Sequence, residues 1–323
     1  MFGERLGIEI MKISAINNIY NFSTKSPTAT TFSGYDGEEI VSEDIFVSPT
    51  QRKKLTQITS FFRDPDSFEF VKRYFRYSAK KDNVKCVVGA CSTGEEAWTL
   101  KMILGDKADV LGFDLGSKVI ERAQSGKFDI AKVAERDALF YDFLSCLDRY
   151  LAFEEPANAQ EIRYKELFRE YFKPTGVKKR TSSRHEDGYI HFIAKEFRVK
   201  ESKENECRFM QGDVLKLDEF IEPNSVDVFT FRNALYHLTH RTNSSGEPRP
   251  AEEITPVLDE LFGKINKALA KDGLFVLGKH STDHEKSSRG VGDIVYDLLE
   301  KNRFKPVFVE YGKRASVWKK VGD

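Results

Sequence analysis

The chain has 323 residues, of which 32% are charged and 40% are hydrophobic, proportions that are typical of a globular protein. Its 51 Lys and Arg balance 51 Asp and Glu, so no net field favours nucleic acid or an anionic membrane surface. No apolar run approaches the roughly 18 residues of a membrane-spanning helix, and the first residues lack the pattern of a signal peptide. The four cysteines form no CxxC pair, which indicates reduced thiols and predicts a cytoplasmic protein.

The N-terminal part divides into two regions. Residues 1–47 show no periodic pattern and form a poorly defined region. Residues 48–80 are predicted to be helical, because Ser48-Pro49 is typical of a helix start and a second amphipathic helix is predicted over residues 66–79.

A strand, a glycine turn, a helix and a second strand then follow one another. They are predicted at Cys86–Val88, Gly89–Gly94, Glu95–Leu104 and Val110–Phe113, and Asp114 ends the second strand. An acid about 20 residues beyond a glycine turn is placed to bond ribose hydroxyls in a Rossmann-like crevice. Asp114 is therefore a candidate ribose ligand.

The two acids after the glycine turn narrow the choice of nucleotide. A dinucleotide would put its pyrophosphate at the helix N-terminus, where Glu95 and Glu96 would repel it. A P-loop requires Lys-Ser/Thr at the same place. The carboxylates instead favour S-adenosylmethionine, which carries a sulfonium and an α-amino group. The alternative is that both acids only stabilise the helix dipole in the first turn.

Residues 81–323 are predicted to form one domain, interrupted by an insertion at about 127–205 that is too long for a plain connection. The insertion is predicted to be mostly helical, over 138–153 and 159–172. A polar, basic loop then leads to a strand-like segment at Tyr189–Ala194.

The remaining elements complete an α/β pattern. Strands are predicted at Cys207–Met210, Val226–Phe231, Leu274–Leu277, Pro306–Tyr311 and Ala315–Trp318, with helices at Ala251–Ala270 and Val291–Lys301. Seven strands, mostly separated by helices and closed by an antiparallel pair, indicate a doubly wound α/β sheet. Ligands of such sheets bind at the carboxyl ends of the strands.

Six motifs occur in order between Thr56 and Trp318: QITSFFRDP, ACSTGEEAW, FDLGSKVIERAQSGKF, LFREYFKPTG, VDVFTFRNALYHL and INKALAKDGLFVLGKHS. As a set they resemble the CheR family, the chemotaxis receptor methyltransferases. The resemblance implies a Rossmann-like, seven-stranded methyltransferase fold with a helical N-terminal segment and an inserted subdomain. It also implies S-adenosylmethionine as the cofactor and transfer of methyl to glutamate side chains of receptors.

The resemblance also implies roles for individual residues. The segment that closes over the cofactor contains Gln57, Thr59 and Arg63. Glu96 is expected to bind the methionine end of the cofactor and Asp114 the ribose. Asp213 and Val214 are expected to lie at the adenine. The cofactor set is completed by Gly89, Gly94 and Glu95 at the turn and by Arg232 and Asn233 at the floor of the pocket.

Three residues are candidates for the transfer itself. Arg63 offers a planar fork of donors that suits a substrate carboxylate; the alternative is a surface arginine paired with a neighbouring aspartate. The family places a tyrosine near the methyl group where this chain has His237, and Tyr236 stands one residue earlier. Both side chains either line the transfer pocket or serve helix packing.

Three alternatives stay open. In the first alternative, the acceptor is a small acid, an amine or another protein, although Phe231–Tyr236 lacks the Asn/Asp-Pro-Pro-Tyr pattern of amine methylases. In the second alternative, the chain is a non-catalytic module that binds the cofactor. In the third, the strand-like part of the insertion receives an extended peptide by strand addition. Four histidines at HxxH and HxxxH spacing lack an obvious further ligand, so no metal is predicted.

Overall fold

The computed structural model describes residues 59–133, 148–185, 188–232, 234–239, 249–278, 291–310 and 314–322. The N-terminal region 1–47, the start of the helical region 48–80, Gln57 and Asn233 lie outside them, and the domain boundaries stay predictions. Among the described residues, no helix combines the length and apolarity needed to cross a membrane.

Ten strands are described. They are β1 (Val84–Gly89), β2 (Ala108–Asp114), β3 (Lys127–Val133), β4 (Phe172–His185), β5 (Gly188–Val199), β6 (Cys207–Gln211), β7 (Val226–Thr230), β8 (Leu269–Val276), β9 (Phe304–Glu310) and β10 (Arg314–Lys320). The described helices are α1 (Asp66–Arg73), α2 (Glu95–Leu104), α3 (Ser117–Gln124), α4 (Ala159–Tyr171), α5 (Tyr236–Thr239), α6 (Ala251–Ala268) and α7 (Val291–Lys301).

Seven strands form the main sheet in the order β6-β2-β1-β7-β8-β10-β9. The first five of these pair in parallel, and β10 runs antiparallel to both β8 and β9. The strand order reverses between β1 and β7, which makes the carboxyl ends of these two strands the expected ligand crevice. The fold class inferred from the sequence, a doubly wound seven-stranded sheet closed by an antiparallel pair, is confirmed.

Both faces of the main sheet are buried, because successive side chains of a strand point to opposite faces. In β1, Cys86 and Val88 join the apolar core that contains Trp98 of α2, while Val87 joins the other core with Leu258 and Phe262 of α6. Strands buried on both faces have nearly continuous apolar sequences, which is why these segments were recognisable as strands.

The insertion contains a second, antiparallel sheet of three strands in the order β3-β5-β4. The prediction of a mostly helical insertion with a basic loop was therefore wrong in two places, since Lys127–Val133 is strand β3 and the supposed loop is β4. The helix predicted over 159–172 is present as α4. The Tyr189–Ala194 segment is part of β5, the middle strand of this sheet, and Phe192 to Ala194 pair with both β3 and β4. The prediction that this segment itself receives a peptide by strand addition is therefore wrong at these residues, because both of their edges are occupied.

The misreading of β4 has a physical cause. Lys173 to Lys178 of β4 are exposed, so this stretch lacks the alternation of buried and exposed residues that marks a strand.

The helix predicted over 138–153 lies partly outside the described residues. Within them, Asp148 is followed by a single 3₁₀ turn, Arg149–Leu151, rather than by an α-helix.

Asp148 joins the insertion to the segment that precedes α1. Its Oδ2 accepts a hydrogen bond from the backbone N of Phe61 at 3.1 Å, and both residues are buried. Burial raises the pKa of Asp148 to about 7, and the nearby Glu95 carboxyl adds to the shift, while the Phe61 N–H opposes it. The folded protein therefore holds a proton on Asp148 at pH values where the unfolded chain has lost it.

This difference predicts that the protein becomes less stable as the pH rises from about 4 to 7, because over that window the folded state binds more protons than the unfolded state. One such proton changes the free energy of unfolding by about 1.4 kcal/mol per pH unit. Urea unfolding at a series of pH values should show a smaller decline in Asp148→Asn, which has no titratable carboxyl. Equal slopes in both proteins would show that Asp148 titrates normally.

Candidate active site

The loop between β1 and α2 is held in a conformation that few side chains tolerate. Ala90, Ser92 and Gly94 have φ values of 52°, 50° and 99°. A Cβ on Gly94 would lie 3.0 Å from the Phe209 ring, so both the φ angle and the close packing require glycine here. The loop closes through the backbone N of Cys91, which donates to the Phe113 carbonyl at 3.0 Å.

Asp114, at the end of β2, ties this loop to the next turn. Its Oδ2 accepts from the backbone N of Ser92 at 2.9 Å and its Oδ1 accepts from the backbone N of Gly116 at 3.0 Å. Burial raises the pKa of Asp114, and the backbone donors act in the opposite direction. Each carboxylate oxygen can accept a further hydrogen bond, so the group can still receive ribose hydroxyls.

Glu96 reaches across the switch point to β7. Its Oε1 accepts from Thr230 Oγ1 at 2.9 Å, and its Oε2 lies 3.8 Å from Arg232 Nε. The carboxylate is therefore shared between the end of β7 and the first turn of α2, at the edge where the ligand crevice of a doubly wound sheet lies.

Glu95 faces a different part of the molecule. Its Oε2 accepts from Thr93 Oγ1 at 2.6 Å. Burial raises the pKa of Glu95, and the nearby Asp129 carboxylate also raises it. The Thr93 hydrogen bond and the Arg122 guanidinium lower this pKa. Neighbouring residues of a helix are rotated by about 100°, so Glu96 points to β7 while Glu95 lies beside α3 and the insertion sheet. The prediction that Glu95 touches the cofactor stays a prediction.

Arg232 connects the end of β7 to the segment before α1. Its side chain is only 1% exposed; Nη2 donates to the Arg63 carbonyl at 2.8 Å and lies 3.8 Å from Asp64 Oδ2. The guanidinium carbon lies 4.7 Å from the centre of the Phe68 ring. These contacts fix the position of the Arg63 backbone.

The Arg63 side chain lies in the same charged cluster. Burial lowers its pKa, and the nearby Arg232 also lowers it, whereas Asp64 and Glu96 raise it. The structure thus brings two arginines, Glu96 and Asp64 together at the carboxyl ends of β1 and β7. Asp64, a neighbouring aspartate of the sequence-based alternative, is the strongest of these charge partners, so the role of Arg63 in the transfer stays a prediction.

Asp213 lies at the end of β6, next to the end of β2. Its Oδ1 accepts from the backbone N of Leu215 at 2.9 Å, and the neighbouring Gly212 N donates to the Asp114 carbonyl at 2.9 Å. The main-chain contact brings Asp213 and Val214 to the same edge of the sheet as Asp114, which is compatible with the adenine role that the resemblance implies.

The remaining predicted residues are less informative. Thr59 is half-buried and begins the described part of its segment. His237 is half-buried in the short helix α5, where its backbone N donates to the Ala234 carbonyl at 3.0 Å. Gln57, Asn233 and the side chain of Tyr236 lie outside what the structure describes. The methyl-transfer role of His237 and Tyr236 therefore stays a prediction.

Two site residues were missed by the sequence analysis. Thr230 lies within a predicted strand, where its hydroxyl in VDVFTF is a visible signal. Thr99 lies within a predicted helix, and its Oγ1 accepts from the backbone N of Phe62 at 3.0 Å. That contact joins residues far apart in sequence and leaves no local pattern.

The residues present suit S-adenosylmethionine. A tight loop leads into α2 and is followed by an acid with free acceptor capacity, and a partly exposed Glu96 can bind a cationic group. Ser92 Oγ and Arg232 Nε are buried, and within the described part of the chain neither has a hydrogen-bond partner. Buried donors of this kind are usually satisfied by a ligand or by water.

Comparison with known proteins supports the same cofactor. Residues 57–142 match the family model of the CheR methyltransferase, SAM binding domain. A search of curated protein sequences finds no match.

Several solved structures are similar at low identity. They include a CurJ carbon methyltransferase (10% identity, 79% of this chain and 54% of that chain, TM-score 0.38), a Haemonchus contortus phosphoethanolamine N-methyltransferase 2 (14%, 74% and 36%, TM-score 0.33) and a Streptomyces coelicolor geranyl diphosphate C-methyltransferase (11%, 75% and 61%, TM-score 0.35). The chain spans about a third to two thirds of the length of these structures. At these TM-scores they carry no argument about the acceptor.

The family match covers the glycine loop, Arg63, Glu96 and Asp114, the residues that the structure brings together around the crevice. The resemblance found in the sequence is confirmed over this segment. Residues 57–142 are therefore similar to the S-adenosylmethionine-binding domain of CheR methyltransferases.

Proposed function

We propose that the chain is an S-adenosylmethionine-dependent methyltransferase that transfers methyl to glutamate carboxylates of chemotaxis-type receptors and produces methyl esters. The observation that carries this proposal is the position of Arg63, whose side chain shares a charged cluster with Arg232 and Glu96 beside the glycine loop. A cationic group at this point can receive an anionic acceptor next to the cofactor.

Methyl transfer to a carboxylate requires positioning of the reactants rather than acid–base catalysis. Bound S-adenosylmethionine would be held by Glu96 and Asp114 and would supply a methyl group on a sulfonium, with the neutral thioether as the leaving group when an acceptor carboxylate takes the methyl. The acceptor carboxylate is already ionised at pH 7 and needs no general base. The residues of the site need only hold the two groups in line and exclude water.

Arg63 and Glu96 divide that task. Arg63 stays protonated near neutral pH even though burial lowers its pKa, and its fork of donors matches a carboxylate. Glu96 offers an anion for the cationic end of the cofactor. Arg232 lies between them and keeps the segment of Arg63 in place through its carbonyl.

The insertion supports a second part of the proposal: an extended segment of the acceptor protein docks on the edge of the small sheet. Within the described residues, β4 pairs only with β5, so its other edge offers backbone N–H and C=O groups for strand addition. Val177, in the irregular stretch of β4 between Pro174 and Lys178, is 44% exposed and offers an apolar contact beside that edge.

Replacing Arg63 by alanine should lower methyl transfer about 100-fold, because a misplaced acceptor carboxylate loses its near-attack geometry. The assay measures the amount of base-labile methyl label that is transferred from methyl-labelled S-adenosylmethionine to membranes that contain receptors. Arg73→Ala, at an exposed position of α1, is the matched control and should keep full activity.

The same assay separates the alternatives. Equal labelling by the wild type and Arg63→Ala would remove Arg63 from the mechanism. A base-stable label would indicate an amine acceptor, and no labelling despite cofactor binding would indicate a non-catalytic module.

Replacing Asp114 by asparagine should weaken binding of S-adenosylhomocysteine about 10- to 100-fold, since one hydrogen bond to a charged group contributes about 1.5–3 kcal/mol. Isothermal titration calorimetry measures this. Asp109→Asn, on the same strand but paired with Arg208 at the surface, should bind as the wild type does. Tighter binding of NAD or ATP than of S-adenosylhomocysteine would contradict the cofactor assignment.

Replacing Val177 by aspartate should raise the KM for the acceptor protein several-fold and leave both kcat and cofactor affinity unchanged, because only docking on β4 is altered. Ile162→Asp, at a similarly exposed position of α4, is the control. Identical KM values for the two variants would place acceptor docking elsewhere.

A further inference from the structure

The segment that carries Arg63 is held by side chains from three separate elements. The backbone N of Phe61 donates to Asp148 Oδ2 at 3.1 Å, and the backbone N of Phe62 donates to Thr99 Oγ1 at 3.0 Å. The carbonyl of Arg63 accepts from Arg232 Nη2 at 2.8 Å. Three consecutive residues are thus fixed by the insertion, by α2 and by the end of β7.

The backbone of this segment requires such support. Phe62 and Asp64, on either side of Arg63, have φ values of 53° and 43°. This left-handed region is unfavourable for a non-glycine residue and persists only where the surroundings enforce it. Without the three contacts, the segment would relax to ordinary φ values and carry Arg63 out of the charged cluster.

Asp148 differs from the other two supports because it belongs to the insertion. The contact joins residues 87 apart in sequence, and both are buried. The rings of Phe61 and Phe168 of α4 lie 5.0 Å apart, and Phe62 stacks on Tyr164 of the same helix with centroids 4.4 Å apart. The Arg63 segment therefore rests on the insertion through a buried hydrogen bond and two aromatic contacts.

We propose that Asp148 is a positioning residue for methyl transfer: its hydrogen bond to the Phe61 backbone holds the strained segment on which Arg63 meets the acceptor. Asp148 does not touch the reacting groups. The inference rests on the proposed function, since it assigns to Arg63 the binding of the acceptor, but the clamp itself is a property of the fold. The insertion then contributes to the active site as well as to the proposed docking of the acceptor.

A pair of variants at one position tests this inference. Asp148→Asn keeps an oxygen that can accept from the Phe61 N–H, whereas Asp148→Ala removes the acceptor. We expect Asp148→Ala to lower kcat at least 10-fold, with an affinity for S-adenosylhomocysteine within about threefold of the wild type. Asp148→Asn should recover most of the lost kcat. A purely structural role would not produce this rescue together with unchanged cofactor affinity.

Hydrogen–deuterium exchange of the peptide that spans residues 59–65 supplies a readout that does not depend on activity. The Phe61 amide should exchange at least 10-fold faster in Asp148→Ala than in the wild type, and Asp148→Asn should restore its protection. If Asp148→Ala does not fold, Thr99→Val and Thr99→Ser form a second pair, which removes and keeps the acceptor for the Phe62 N–H.

The outcomes are distinct. Unchanged exchange and unchanged kcat in a folded Asp148→Ala would overturn the inference, as would loss of kcat without faster exchange. A wild-type protein that methylates no protein would overturn the proposed function, and the exchange of residues 59–65 would still decide whether Asp148 holds the segment.

Discussion

The site depends on the contacts of one buried cation, the guanidinium of Arg232. It stands at the end of β7 with its side chain 1% exposed, close to Glu96 of α2 and to the carbonyl of Arg63. A buried charge is tolerated only when neighbouring groups satisfy it, and removal of one partner commonly costs about 3–5 kcal/mol. The ligand crevice and the Arg63 segment are therefore stabilised by the same charge.

The Arg63 segment is held in a backbone conformation that is unfavourable on its own. Phe62 and Asp64 adopt positive φ angles that an isolated peptide would avoid. Contacts from the insertion, from α2 and from β7 offset this strain, so the arginine has one position rather than many. Such pre-organisation suits a transfer reaction in which orientation of the reactants, rather than proton transfer, lowers the barrier.

Much of the fold could be predicted because its signals are local. The helix α2 begins and ends at the predicted residues, Glu95 and Leu104, and α7 does so as well. The strands of the main sheet were also recognised from their apolar residues and turns. The insertion was misread because residues 173–178 of β4 are exposed and the strand is rich in Lys and Arg, so its sequence resembles a loop.

The sequence by itself determined the strand–glycine turn–helix–acid unit, the charge of the groups around it and hence the class of cofactor, since these follow from neighbouring residues. Only the tertiary structure decided that Glu95 and Glu96 face different parts of the molecule and that Asp148 holds the backbone of Phe61. The reason is physical: a hydrogen bond between residues 87 apart depends on how the chain packs and leaves no trace in local periodicity.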